Sequence, residues 1–275
     1  MTVLQILDKS AAFLKQKGVE SPRLNAELLI CDLLKCRRLD LYLNFDKPVN
    51  AAQTDSLRER VVRRGRFEPL QYITGACEFF GLTLEVDPSV LIPRPETELL
   101  VEKMLQEKPT GSLLDLGTGS GAIALAMKKN LPSVEITGSD VSEEALKTAR
   151  RNAARAGLEA EWVRSDAFEG LTGRRFDTIA SNPPYCKNGD FPSLQPEVRD
   201  HEPRLALDGG EDGLDFYRKM LPLVKNHLNP GGRVFLECGL GQAQAVGGMG
   251  KAHGLTVKAV HRDLAGIERI VVFHG

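Results

Sequence analysis

The residues of this 275-residue chain best suited to chemistry are Asn182-Pro183-Pro184-Tyr185, which follow the apolar run Thr178-Ile179-Ala180-Ser181. Two consecutive prolines make a stiff loop without N–H donors of its own. The Asn182 side-chain oxygen and the Pro183 carbonyl are then both acceptors, and together they can hold the two hydrogens of a planar –NH2 group. Tyr185 offers a flat face on which such a group can stack. The lone pair of an amide or aryl nitrogen is delocalised, so the nitrogen is a poor nucleophile. Fixed acceptors on both N–H groups raise its electron density and aim it at an electrophile. Asn182, Pro183 and Tyr185 are the candidate catalytic residues, and Asn182, Pro183, Pro184 and Tyr185 the candidate substrate-binding residues.

The electrophile is suggested upstream. Leu113-Leu114-Asp115-Leu116 runs into Gly117-Thr118-Gly119-Ser120-Gly121, and an apolar helical stretch follows. Glycines let the backbone pass close under a ligand, and a helix N-terminus offers free N–H groups. Asp140 closes the next apolar run about twenty residues on, where a carboxylate can accept from both hydroxyls of a ribose. A dinucleotide fingerprint carries its third glycine one position later than Gly121 does. Asp115 would repel a pyrophosphate but suits an α-ammonium group, directly or through water. S-adenosylmethionine has the ammonium and lacks phosphate, and its sulfonium methyl is electrophilic enough to need neither a metal nor a covalent intermediate. After the third run come Asp166, placed to accept from an adenine amino group, and Phe168, placed to pack on the ring. The cofactor-binding candidates are Asp115, Gly117, Thr118, Gly119, Ser120, Gly121, Asp140, Asp166, Phe168 and Asn182.

The elements that must position these residues alternate. Strands are expected at 113–116, 134–138, 162–165, 178–181, 233–237, 255–260 and 270–273, with helices between the first five, which predicts a mostly parallel sheet covered on both faces. The last two are joined by a glycine-containing loop and should form an antiparallel pair at the sheet edge. Residues 2–66 read as helices. Leu4, Leu7, Ala11 and Leu14 share one face, Ser21 precedes Pro22 as an N-cap, and a third helix covers 51–64. Its basic end, Arg63-Arg64-Gly65-Arg66, reads as a solvated helix terminus. Residues 79–92 read as a β-hairpin that turns at Asp87-Pro88-Ser89.

Lys and Arg number 36 against 37 Asp and Glu, a balance that argues against a protein gripping duplex nucleic acid through phosphates. The five cysteines include no C-x-x-C pair and read as reduced thiols of a cytoplasmic protein. No stretch has the ~20 apolar residues of a membrane span. A monomer is expected.

The chain resembles the HemK/PrmC-type peptide chain release factor glutamine methyltransferases. The resemblance rests on Pro69-Leu70-Gln71-Tyr72-Ile73-Thr74-Gly75, Phe79-Phe80-Gly81-Leu82 and Val90-Leu91-Ile92-Pro93-Arg94-Pro95-Glu96-Thr97-Glu98. Residues 115–121, Asp140 and the Asn182-Pro183-Pro184-Tyr185 loop match as well, as do Glu202-Pro203, residues 209–215, Glu237 with Gln242, and residues 263–269. It implies a Rossmann-like class I methyltransferase domain at 96–275 with a seven-stranded sheet, a β-hairpin linker at 69–95 and a helical recognition domain at 1–68. It also implies S-adenosylmethionine as cofactor. The acceptor would be the glutamine in the Gly-Gly-Gln loop of bacterial class 1 release factors, methylated on its side-chain nitrogen. Two other readings share the motifs: a nucleic-acid methyltransferase acting on adenine N6 or guanine N2, and a cofactor-binding module without catalysis.

Overall fold

The computed structural model describes all residues 1–275. Internal contacts divide the chain into two units, Met1–Gly75 with Gln195–His201, and Ala76–Leu194 with Glu202–Gly275.

The first unit is helical: α1 (Val3–Gln16), α2 (Pro22–Leu34), α3 (Arg38–Tyr42), α4 (Ala51–Arg64) and α5 (Leu70–Thr74). Thr2 with Gln5, and Asn50 with Gln53, form reciprocal capping boxes that start α1 and α4. The buried face of α1 is Val3, Ile6, Leu7, Ser10 and Leu14, packed with Leu29 and Ile30 of α2 and Leu57 of α4. Leu4, expected on that face, is 38 % exposed. Ser21 does not cap α2; it stands at φ 46° and its side chain makes no cap hydrogen bond. Of the arginines at the basic end of α4, Arg66 is exposed as expected, but Arg64 is not solvated. Arg64 is 3 % exposed and donates to Asn25 at 2.7 Å, to the Glu68 carbonyl at 3.1 Å and to Glu197. Arg63 pairs with Glu68 at 2.5 Å. Asn25, the nearby Glu68 carbonyl and the distant Glu197 carboxylate together lock Arg64 in place, because a buried guanidinium is stable only when its donors are matched.

The second unit opens with the hairpin β1 (Ala76–Phe79) and β2 (Leu82–Glu85). The turn lies at Phe80-Gly81, at φ 47° and 73°, and not at 87–89. Two successive positive φ values match the twist of a two-residue hairpin. Asp87 instead closes a local turn, accepting from the Ser89 N–H at 2.8 Å, and 90–92 are not strand. There follow α6 (Pro95–Gln106), β3 (Ser112–Leu116), α7 (Ala122–Asn130), β4 (Glu135–Asp140), α8 (Glu143–Ala156), β5 (Glu161–Arg164) and β6 (Phe176–Ser181). After α9 (Pro196–His201), which belongs to the first unit, come α10 (Asp215–His227), β7 (Leu228–Glu237), α11 (Ala243–Ala252), β8 (Thr256–Arg262) and β9 (Glu268–His274).

The seven-stranded sheet runs β5-β4-β3-β6-β7-β9-β8. β9 alone runs against the other six strands, and the antiparallel β8–β9 pair ends the sheet as expected. A single 3-10 turn, Glu169–Leu171, stands between β5 and β6 where the alternation predicted a helix. One apolar layer packs α6 and α7 on the sheet through Leu100, Met104, Leu125 and Phe235. The other packs α10 and α11 through Tyr217, Met220, Val246 and Phe273. From β3 the chain winds outward through β4 to β5, then returns to β6 on the other side of β3. Such a reversal opens a crevice at the carboxyl ends of the strands.

Candidate active site

At the end of β3 the backbone itself shapes the crevice. Gly117 and Gly119 stand at φ 75° and 54°, and a Cβ at either would meet no atom within 4 Å. The N–H groups of Gly117 and Thr118 both donate to the Ser139 carbonyl at 2.8 Å. From behind, Asn152 on α8 donates to the Ser120 carbonyl at 2.9 Å. Parallel pairing of β3 with β4 brings Asp140 to the loop, where it accepts from the Gly119 N–H and the Ser142 N–H, each at 2.9 Å. Burial pushes the Asp140 carboxyl above its usual range.

Asp115 is fully buried beneath the loop. Its Oδ2 accepts from Thr118 Oγ1 at 2.6 Å and from the Ala124 N–H at 3.1 Å, while Oδ1 has no partner. Burial pushes the carboxyl up to about 6 against the pull of those two bonds.

A cavity of about 570 Å³ lies over the loop. Of the candidate residues, Gly117, Thr118, Gly119, Ser120, Asp140, Asp166, Asn182 and Pro184 line it. Its two basic side chains are matched: Arg94 donates to Glu202 at 2.6 Å, and Lys219 pairs with Asp166. Five candidates are not in the lining. Asp115 lies below the loop, Pro183 is buried in it, and Gly121 starts α7 where a Cβ would strike Trp162 at 3.0 Å. Phe168 does not offer a face for a ring in the cavity. It is 2 % exposed and stacks on His227, centroids 4.5 Å apart and planes 8° apart, so the apolar core has claimed it. Its neighbour Ala167 lines the cavity instead. Tyr185 packs against the core around α10, and its hydroxyl donates to Glu237 Oε1 at 3.3 Å. Burial raises its phenol above the ordinary value.

The acceptor loop is held by side chains from far along the chain. Asn182 Nδ2 donates to Thr97 Oγ1 at 3.0 Å, and Thr97 donates to Glu237 Oε2 at 2.7 Å. That single side-chain bond leaves the Asn182 oxygen as the open acceptor. Gln242 Nε2 donates to the Tyr185 carbonyl at 3.0 Å and to the Gly213 carbonyl at 3.2 Å, and its Oε1 accepts from the Gly239 N–H. Ser181 ties β6 to β3 by donating to the Leu116 carbonyl at 2.6 Å. Thr97, Glu237 and Gln242 were visible only as members of a matching motif. Nothing in their local spacing shows that they meet at the acceptor loop.

The comparisons with known proteins fall in line with this geometry. A family profile described as the PrmC N-terminal domain matches residues 5–75, and one described as the methyltransferase small domain matches residues 95–197. A release factor glutamine methyltransferase of Geobacter sulfurreducens is 46% identical over 98% of this chain and 95% of its own length. One from Thermodesulfovibrio yellowstonii is 42% identical over 90% of each. The chain belongs to the release factor glutamine methyltransferase family. Among solved structures, a methyltransferase from Pyrococcus furiosus shares the fold with a TM-score of 0.56 and 24% identity, over 79% of this chain and 96% of that one.

As a member of this family the chain is an S-adenosylmethionine-dependent methyltransferase. The crevice fits that cofactor. It has room over Gly117 and Gly119, no unmatched basic side chain for a pyrophosphate, and a buried carboxylate oxygen, Asp115 Oδ1, without a partner. No helix is long and apolar enough to cross a membrane.

Proposed function

We propose that this enzyme methylates the side-chain amide nitrogen of the glutamine in the Gly-Gly-Gln loop of bacterial class 1 peptide chain release factors. The observation that carries the reading is the Asn182 amide, fixed through its NH2 to Thr97 with its oxygen left as acceptor at the carboxyl end of β6, beside the cavity. Relatives that match nine-tenths or more of its length are named release factor glutamine methyltransferases.

In this reading Gly117, Thr118, Gly119, Ser120 and Asp140 hold the cofactor, and Asp166 would have to exchange Lys219 for the adenine amino group. Asp115 acts from beneath the loop, by shaping it and by placing negative charge under an ammonium group. When bound, S-adenosylmethionine supplies the electrophilic methyl group. The Asn182 oxygen and the Pro183 carbonyl each accept one N–H of the glutamine amide. That raises electron density on nitrogen and fixes its direction of attack. Pro184 keeps the loop rigid. Tyr185 supports its base through Glu237 and gives the amide an edge to pack beside. The helices of residues 1–68 would hold the release factor away from its reacting loop, as a whole-protein substrate requires. The enzyme would act as a monomer in the cytoplasm, without stable nucleic acid.

The test is incubation with an unmodified release factor and S-adenosylmethionine, followed by peptide mapping. One added methyl on the Gly-Gly-Gln glutamine is expected. A methyl on any other residue, or transfer to DNA or RNA in preference, would overturn the assignment.

A further inference from the structure

Glu237 ends β7 with its carboxylate fully buried, a place where an acidic side chain is rare unless every oxygen is matched. Its Oε2 accepts from Thr97 and its Oε1 from Tyr185. Thr97, on the first turn of α6, is 4 % exposed and spends its oxygen on the Asn182 NH2. A hydroxyl has a single proton, and an ionised carboxylate can only accept. While Glu237 is ionised, the Thr97 proton is committed to it. Only the Thr97 lone pairs then face Asn182, and a lone pair accepts from the NH2 end of an amide but repels the oxygen end. The opposite flip of Asn182 would set two acceptors at the same 3.0 Å separation.

We propose that Thr97 and Glu237 are positioning residues that decide which end of the Asn182 amide meets the acceptor nitrogen, Glu237 acting through Thr97. The inference rests on Asn182 receiving an –NH2 group, as in the function proposed above. It adds that the asparagine alone does not specify the site. An amide free to flip presents its own NH2 half the time to a substrate that also brings NH2, and the two repel.

The relay has a pH sense. Burial pushes Glu237 up to about 7, with Thr97, Tyr185 and Arg269 of β9 drawing it down and Glu96 of α6 pushing it further up. Cys238, the next residue, is a buried thiol pushed up to about 12 and stays neutral. Once Glu237 is protonated it can donate to Thr97. The Thr97 proton is then released to turn toward the Asn182 oxygen, and both flips become acceptable. The ionised form is the productive one, so kcat rises as pH climbs through about 7 and levels off above it.

The test compares the intact parent enzyme with Thr97→Val, Thr97→Ser and Glu237→Gln. Thr97→Val keeps the shape and removes the hydroxyl. It should lower kcat by about tenfold to a hundredfold, the usual range for a lost outer-shell partner. KM for the release factor and affinity for S-adenosylmethionine should stay within about threefold of the parent. Thr97→Ser should restore kcat to within about threefold, and Thr97→Val should lose the rise with pH. A second readout needs no acceptor: the Asn182 side-chain NH2 signals, followed by NMR, should shift with pH through about 7 in the parent, stay put in Glu237→Gln and move far less in Thr97→Val. Parental kcat in Thr97→Val, or a serine variant no better than the valine one, would overturn the relay, as would NH2 signals indifferent to pH in the parent. A parent that leaves release factors unmethylated while its NH2 signals still titrate would count against the proposed substrate and not against the relay.

Discussion

The two ends of the crevice solve the same problem with different materials. Beside β3 and β4 the surface is backbone: glycines at positive φ, carbonyl and N–H groups tied to Ser139 and Asp140. Beside β6 and β7 it is side chain: an asparagine held by a threonine, held in turn by a buried glutamate. A backbone cradle tolerates only residues that permit its φ values, and its partners lie on the neighbouring strand and the helix that follows it. A side-chain cradle can recruit support from anywhere the fold brings near, and here the threonine and glutamate are 140 residues apart in sequence. The first should therefore fail through lost cofactor affinity, the second through lost turnover.

Three substitutions sharpen or break that contrast. The largest effect is expected for Asn182→Ala. Methyl transfer should fall on the order of 10²- to 10³-fold, while cofactor affinity by calorimetry should hold to within about threefold. A matching fall in affinity would show the two ends to be one site. Next is Gly119→Ala. A methyl there meets no protein atom within 4 Å but would stand in the cavity against the cofactor, while left-handed strain of about 1–2 kcal/mol falls on the fold itself. Cofactor Kd should rise about tenfold, with kcat at saturating cofactor close to the parent. Unchanged Kd with lowered kcat would reverse the assignment of the ends.

The smallest effect is on stability. Burial raises Glu237 to about 7, above its ordinary value of 4.5, so the folded chain holds this proton over a window where the unfolded chain has lost it. Its contribution is complete below about 4.5 and is lost as pH rises through about 7. Glu237→Gln removes that loss. The Tm difference between variant and parent should therefore move in the variant's favour between pH 5 and 8, by a few degrees. A difference independent of pH would mean that Glu237 is not held protonated in the fold.

The same contrast governs what could be read before the structure. The inner strands of the sheet were legible because buried parallel strands are short apolar runs set off by turns, the edge pair β8–β9 from its apolar residues on either side of a glycine-containing loop, and the glycine loop because few residues tolerate its geometry. The hairpin turn was misplaced. Asp87-Pro88-Ser89 has turn composition, whereas Phe80 adopts positive φ against its own preference, held there with Gly81 by the pairing of β1 and β2. Phe168 read as a cofactor contact because its position after the strand was right. Its partner, His227, sits on α10, and only the fold brings them together. Arg64 read as solvated for the same reason, since Asn25 and Glu197 lie 39 and 133 residues away. The Thr97–Glu237 support of Asn182 had no local signal at all.

The central claim, a glutamine amide as acceptor, is tested most directly by competition in one tube. The acceptors are an unmodified release factor, the same factor with its Gly-Gly-Gln glutamine replaced by alanine, and unmethylated DNA, with methyl-labelled S-adenosylmethionine as donor. Label on the intact factor alone is the predicted result. Label on the DNA, or equal label on both forms of the factor, would contradict it.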